Sequence, residues 1–142
     1  MLHAKEMKYF NQSHTVKHQI LLVEDDPVIQ LAHEDILQHA GFHVDVAATG
    51  EEALTLCHKH KYQLILMDIN LPDMSGLDIT ARIRQSNLRN KNVPIVALTS
   101  LSGQKIKKQC LTSGMNEYNH KPISQKMLVL LAEKYLTSAI FH

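Results

Sequence analysis

The sequence predicts an α/β sandwich with a parallel five-stranded sheet and right-handed crossovers. Between Gln19 and the C-terminal helix, short apolar runs alternate with segments of helical spacing five times. Several of these runs, such as Ile20-Leu21-Leu22-Val23 and Leu64-Ile65-Leu66-Met67, are apolar throughout, the pattern of strands covered on both faces. Capping residues and glycines punctuate the helical segments where starts and stops are needed.

The first apolar run ends at Glu24-Asp25-Asp26-Pro27, where Asp26 can cap a helix and Pro27 suits its first turn. Val28, Leu31, Ala32, Asp35, Ile36 and Ala40 follow at helical spacing, and Gly41 supplies the stop. Val44-Asp45-Val46-Ala47 alternates as a second strand. Thr49 caps the next helix, which carries Ala53, Leu54 and Cys57 and has Glu51 and Glu52 in its first turn, where the helix dipole favours acids. The third strand ends at Asp68, and the loop Asn70-Leu71-Pro72-Asp73-Met74-Ser75-Gly76 leads into a helix with Leu77, Ile79, Ala81 and Ile83. Val93 to Leu98 is the fourth strand and ends at Thr99-Ser100. A helix from Gly103 to Ser113 closes at Gly114, Glu117 to His120 forms a fifth strand, and Lys121-Pro122 precedes a last helix from Ser124 to Ala139. Residues 1–18, polar and aperiodic, read as a tail or linker, and residues 19–140 as one domain.

Composition narrows the function classes. The 142 residues are 44% hydrophobic and 20% charged, ordinary globular usage that argues against wholesale disorder. Fifteen Lys and Arg against fourteen Asp and Glu leave a formal charge of +1, so no global field points to nucleic acid or anionic lipid. The ten histidines are scattered and mostly read as surface residues. Cys57 and Cys110 form no CxxC or Cys/His cluster, which argues against a disulfide framework or zinc site and fits reduced thiols. The longest apolar run, Met127 to Ala132, is far too short for a membrane span, and the first ten residues lack the apolar core of a signal peptide. A cytoplasmic protein is expected, with neither membrane contact nor direct nucleic-acid binding.

The informative feature is where the polar residues stand. Glu24-Asp25, Asp68 and Thr99 directly follow apolar runs and Lys121 follows the expected strand Glu117 to His120, so each lies at the carboxyl end of a strand. Open α/β sheets bind ligands outside those ends. If the strands are neighbours, these side chains converge, and their three carboxylates need a cation. All-oxygen ligation suits Mg2+, with Mn2+ as the alternative. A lysine and a hydroxyl beside a metal-bound carboxylate make sense if that carboxylate receives a phosphoryl group. Singly, each residue has a plainer reading: helix cap, turn residue, N-cap or exposed lysine. Four strand ends in one frame are hard to obtain by accident.

These residues resemble the receiver domain of two-component response regulators, carried by LLVEDDP, LILMDINLPDMSGLDI, PIVALTS and EYNHKPIS. The resemblance covers the chain from Gln19 to Ala139 and implies a flavodoxin-like, doubly wound (βα)5 fold with strand order 2-1-3-4-5. It also implies that Asp68 is the phosphoacceptor, Asp25 a direct metal ligand and Glu24 a ligand through water, with the Asn70 carbonyl completing the set. Thr99 would be the switch hydroxyl, Lys121 the phosphate-binding lysine and Tyr118 the switch aromatic. Asn70 and Leu101 fall where the family tunes hydrolysis of the phosphoryl group. The chain departs from the commonest pattern by its Glu24-Asp25 pair and by Ser100 after the threonine.

The sequence is more similar to receivers fused to hybrid sensor kinases, which exchange phosphate with a histidine kinase or histidine phosphotransfer domain, than to those of winged-helix transcription regulators. Docking would use Val28, Ile29 and Leu31 with the Pro122-Ile123 corner. A freestanding single-domain regulator is the rival. A phosphohydrolase with an aspartyl nucleophile would want an acid where Asn70 stands, and a flavodoxin-like cofactor binder would want a Ser/Thr/Gly-rich loop where Glu24-Asp25-Asp26 stands. A purely structural receiver-like domain would not need the full set of acceptor, metal and lysine positions.

Overall fold

The computed structural model describes residues 18–86 and 89–140. Of the tail expected over residues 1–18, only His18 falls within the described residues. Strands β1 (Ile20–Val23), β2 (Val44–Ala47), β3 (Leu64–Met67), β4 (Ile95–Thr99) and β5 (Glu117–His120) alternate with helices α1 (Pro27–His39), α2 (Gly50–Lys59), α3 (Gly76–Gln85), α4 (Gln104–Ser113) and α5 (Gln125–Ile140). All four strand pairings are parallel, and the order across the sheet is β2-β1-β3-β4-β5, as expected.

Pleating divides the apolar runs between two cores. Leu21, Val23, Ile65, Met67, Ile95 and Ala97 face the side that holds Ala53, Cys57, Ile79, Ile83 and Cys110 of α2, α3 and α4. Ile20, Leu22, Leu64, Leu66, Val96 and Leu98 face Leu37 of α1 and Leu128, Leu131, Ala132 and Leu136 of α5. β1, β3 and β4 are fully buried, and each such leucine or isoleucine contributes about 1.5–3 kcal/mol.

Caps set the helix ends. The Asp26 carboxylate accepts from the N–H groups of Val28 and Ile29, and Pro27 occupies the first turn. Thr49 Oγ1 accepts from Glu52 N–H, and Ser75 Oγ from Leu77 N–H. Gly114, at φ +113°, ends α4 in the left-handed conformation.

Two expectations need correction. β4 begins at Ile95 rather than Val93, because Pro94 has no N–H to give a ladder. The phase of α1 also differs. Val28 and Leu31, expected on its apolar stripe, are 75% and 69% exposed, whereas His33 and Leu37 are buried. A polar residue holds one turn of the buried face, so counting apolar residues puts the stripe on the wrong side. His33 is thus an exception to the surface placement expected for the histidines.

Candidate functional site

The parallel register brings the four strand ends together. Val23 lies beside Met67, and Met67 beside Ala97, so the residues after these strands share one edge of the sheet. A crevice of about 570 Å³ opens there, lined by Glu24, Asp25, Asp26, Ile29, His33, Asp68, Asn70, Ser100, Lys121, Pro122 and Ile123. Glu24, Asp25 and Asp68 each place a carboxylate oxygen so that all three lie within 4.8 Å of one another.

Their surroundings differ. Glu24 is 2% exposed, and both its oxygens are engaged: Oε1 accepts from Lys121 Nζ, Oε2 from Asp26 N–H at 3.1 Å. The Gln30 side-chain amide also donates to the Glu24 carbonyl. Burial pushes the Glu24 carboxyl above its usual range; the Lys121 ammonium and Asp26 N–H oppose this, and Asp68 adds to it. Asp68 is also buried; its Oδ1 accepts from Ile69 N–H at 2.7 Å, and its Oδ2 lies 3.4 Å from Lys121 Nζ. Asp25 is exposed, and its carboxylate has no partner among the described residues.

The loop after β3 returns close to the end of that strand. Gly76 N–H donates to Ile69 O at 2.8 Å, and a Cβ on Gly76 would come within 2.1 Å of the Asp68 carbonyl oxygen. Only glycine permits that approach. Asn70 bridges to Ser75 and lines the crevice.

Thr99 ends β4 and is completely buried; its Oγ1 accepts from Leu101 N–H at 3.1 Å rather than lining the crevice. Tyr118, half-buried on β5, donates its hydroxyl to the Leu101 carbonyl at 2.5 Å. Leu101 therefore joins the two residues through its own peptide groups. Lys121, at the end of β5, precedes a cis peptide bond to Pro122.

Among the residues expected to dock a partner, Val28 and Leu31 are exposed on α1, while Ile29, Pro122 and Ile123 line the crevice mouth. Two contributors had not been anticipated from the sequence. His33 lines the crevice while its buried Nδ1 has no hydrogen-bond partner among the described residues, and burial followed by the Lys121 charge holds its pKa below the ordinary value. Asp73 accepts from the Gly50 and Glu51 N–H groups at the start of α2.

The donor set fits a hard divalent cation. Its side-chain donors are all oxygen, the carboxylates lie at chelating separation, and Asp25 is left unpaired toward the crevice. Among the described residues, no helix is long and apolar enough to cross a membrane.

Residues 20–133 match the family model described as response regulator receiver domain. The chain is 41% identical over 128 residues to hybrid signal transduction histidine kinase B of Dictyostelium discoideum, covering 82% of this chain and 6% of the length of that kinase. It is 32% identical over 115 residues to two-component response regulator 24 of Arabidopsis thaliana, covering 80% of this chain and 81% of that protein. The crystal structure of the receiver domain of sensor histidine kinase PA1611 from Pseudomonas aeruginosa, with magnesium coordinated in its active-site cleft, superposes with a TM-score of 0.78 at 35% identity, covering 86% of this chain and 99% of that one.

Proposed function

The chain belongs to the response regulator receiver domain family, and from that premise we propose that it accepts a phosphoryl group on Asp68 from a phosphohistidine. The observation that carries this reading is the crevice in which Lys121 and three clustered carboxylates meet.

Asp25, Asp68 and the Asn70 carbonyl would hold Mg2+ or Mn2+, with Glu24 acting through water. When bound, the ion supplies positive charge beside the oxygens of the transferring group. An Asp68 oxygen attacks phosphorus in line; the P–O bond forms as the donor P–N bond breaks, and the electron pair leaves on the imidazole nitrogen. Lys121, already between Glu24 and Asp68, follows the developing charge on the equatorial oxygens. The Thr99 hydroxyl, which accepts from Leu101 N–H, turns to donate its proton to a phosphoryl oxygen, and Tyr118 responds because it bonds the same residue. The outcome is a population shift that alters the surface of α4, β5 and α5.

The context favoured is the receiver module of a hybrid sensor histidine kinase, in the cytoplasm, with residues 1–18 as linker and 19–140 as the receiver unit. Its partner would be a histidine kinase or histidine phosphotransfer domain, docking on Val28, Ile29, Leu31, Pro122 and Ile123. The higher identity to the Dictyostelium hybrid kinase supports this. A freestanding regulator is the second reading, favoured by the match to four-fifths of the Arabidopsis regulator.

Incubation with Mg2+ and acetyl phosphate, followed by mass spectrometry of the intact chain, tests the chemistry. One phosphoryl group should be gained by the parent chain and none by Asp68→Asn. Equal labelling of both would overturn the assignment of the acceptor. Transfer assays with purified phosphotransfer domains then separate the two contexts.

A further inference from the structure

We infer that Asp73 is a positioning residue for the metal site, fixing the loop that carries the Asn70 carbonyl to the N-terminus of α2. The inference rests on the reading of Asn70 as a metal ligand proposed above.

Asp73 is an exposed residue, yet its carboxylate is held on both sides. Oδ1 accepts from Gly50 N–H at 2.8 Å and Oδ2 from Glu51 N–H at 2.9 Å. Helix α2 already has a local cap, Thr49, which accepts from Glu52 N–H. The first two N–H groups, beyond that hydroxyl, are satisfied from 22 and 23 positions further along the chain. The preceding Glu51 and Glu52 already supply negative charge to this turn, so a third carboxylate adds little that the dipole requires. What Asp73 adds is a tie between two distant segments.

Packing reinforces that tie. A Cβ on Gly50 would come within 2.4 Å of Met74 Cγ, so the helix start and the loop are in direct contact. At its other end the loop is held by Gly76 N–H on the Ile69 carbonyl and by the Asn70–Ser75 bridge. Asn70, on the side of Asp68, thus stands in a span fixed at the sheet and at α2. Without Asp73 the span keeps its attachment to the sheet and loses its polar attachment to α2.

A small divalent cation makes this matter, because Mg2+ demands near-ideal octahedral geometry and tolerates misplaced oxygens poorly. Groups that orient ligands from outside the coordination sphere commonly change metal affinity by about 10–100-fold when removed. The two N–H bonds, Gly50 first and Glu51 second, also hold the Asp73 carboxyl below its usual range, so the tie stays ionised through the neutral region.

The test is Mg2+ titration by calorimetry on the parent chain, Asp73→Ala, Asp73→Asn and Thr49→Ala, with thermal unfolding of each. Asp73→Ala should bind Mg2+ about ten-fold more weakly, and Asp73→Asn, which keeps one acceptor, should fall between it and the parent. Thr49→Ala removes a cap from the same helix without touching the loop; it should lower the melting temperature and leave Mg2+ affinity within about two-fold. Equal Mg2+ affinity in the parent and Asp73→Ala, or equal weakening by Thr49→Ala, would overturn the inference. Should Asp73→Ala fail to fold, Asp73→Asn decides, and parent-like affinity there overturns it. A parent chain that takes up no Mg2+ would remove the metal reading itself, a result distinct from a parent that binds while Asp73 variants bind equally well.

Discussion

The ammonium of Lys121 rests on Glu24 Oε1 and lies 3.4 Å from Asp68 Oδ2, so a single cation serves two buried carboxylates. The glutamate in place of an aspartate is one methylene longer, and it is Glu24 rather than Asp68 that holds the lysine more closely. Lys121 therefore has two resting partners, and drawing it toward a phosphoryl group means exchanging one anion for another.

Removing this cation should be costly at neutral pH. Lys121→Met leaves Glu24 and Asp68 facing each other in a site largely closed to solvent, and breaking such a buried pair costs about 3 kcal/mol. The Glu24 carboxyl already sits above its usual range in the folded protein, chiefly through burial. A raised folded value means that the contribution is intact below the unfolded value and is lost as pH rises through the folded one. The deficit of Lys121→Met should accordingly be largest at neutral pH and shrink as pH falls toward the carboxylate range. Urea unfolding of both proteins at pH 7 and pH 5 measures it, and a deficit independent of pH would contradict the argument.

Asp25 has the opposite character. It is exposed and unpaired among the described residues, yet it stands within 4.8 Å of two other carboxylates. Removing its charge relieves repulsion, so Asp25→Ala without divalent ions should be more stable than the parent by about 1 kcal/mol. Added Mg2+ should reverse the order. At roughly 100 times its dissociation constant, a ligand that binds only the folded state adds about 2.7 kcal/mol, a gain Asp25→Ala should largely forgo. Parallel denaturation curves with Mg2+ and with chelator check this, and an equal Mg2+ gain in both proteins would refute it.

Thr99 and Tyr118 meet at the backbone of Leu101, the first through its N–H and the second through its carbonyl. Two bonds to adjacent peptide groups of one residue should not be energetically independent. Thr99→Val and Tyr118→Phe are each expected to cost about 0.5–1.5 kcal/mol. In the double variant the sum should fail by about 0.5 kcal/mol or more, because either substitution alone already loosens the segment. A double-mutant cycle of unfolding free energies supplies the number. Strict additivity would mean that Leu101 transmits nothing between them.

The ends of β1, β3 and β4 could be read because their signal is one-dimensional: an apolar run, then an acid or a threonine. That pattern places Asp68 and Thr99 at strand ends; Lys121 joins them from its place after the polar strand Glu117–His120, and the parallel order β2-β1-β3-β4-β5 follows from the resemblance. Pairings across long separations left no such trace. Nothing local in LPDMSG says that Asp73 will reach Gly50 and Glu51, and nothing at Glu24 says that it will hold Lys121 more closely than Asp68 does. On α1 the apolar count itself misled. Val28 and Leu31 are exposed, and the buried turn is given to a histidine that hydropathy assigns to the surface.

That histidine makes an acid-sensitive element. His33 is buried, its Nδ1 has no hydrogen-bond partner among the described residues, and the nearby Lys121 charge adds to the desolvation that disfavours its cationic form. Its pKa in the folded protein therefore lies below the ordinary 6.5 of the unfolded chain. Below that value the unfolded chain binds a proton that the folded protein resists, so stability is lost as pH falls from about 6.5 through the folded value. His33→Leu keeps an apolar body of similar reach and removes both the orphaned nitrogen and the proton. At pH 7.5 it should be more stable than the parent by about 1 kcal/mol, the order of cost of an unmade buried hydrogen bond. Between pH 7 and pH 5 the gap should widen, since only the parent carries the penalty. Chemical denaturation of both proteins at half-unit steps gives the two curves. If they descend in parallel across that interval, His33 does not resist protonation in the fold, and the acid sensitivity arises elsewhere.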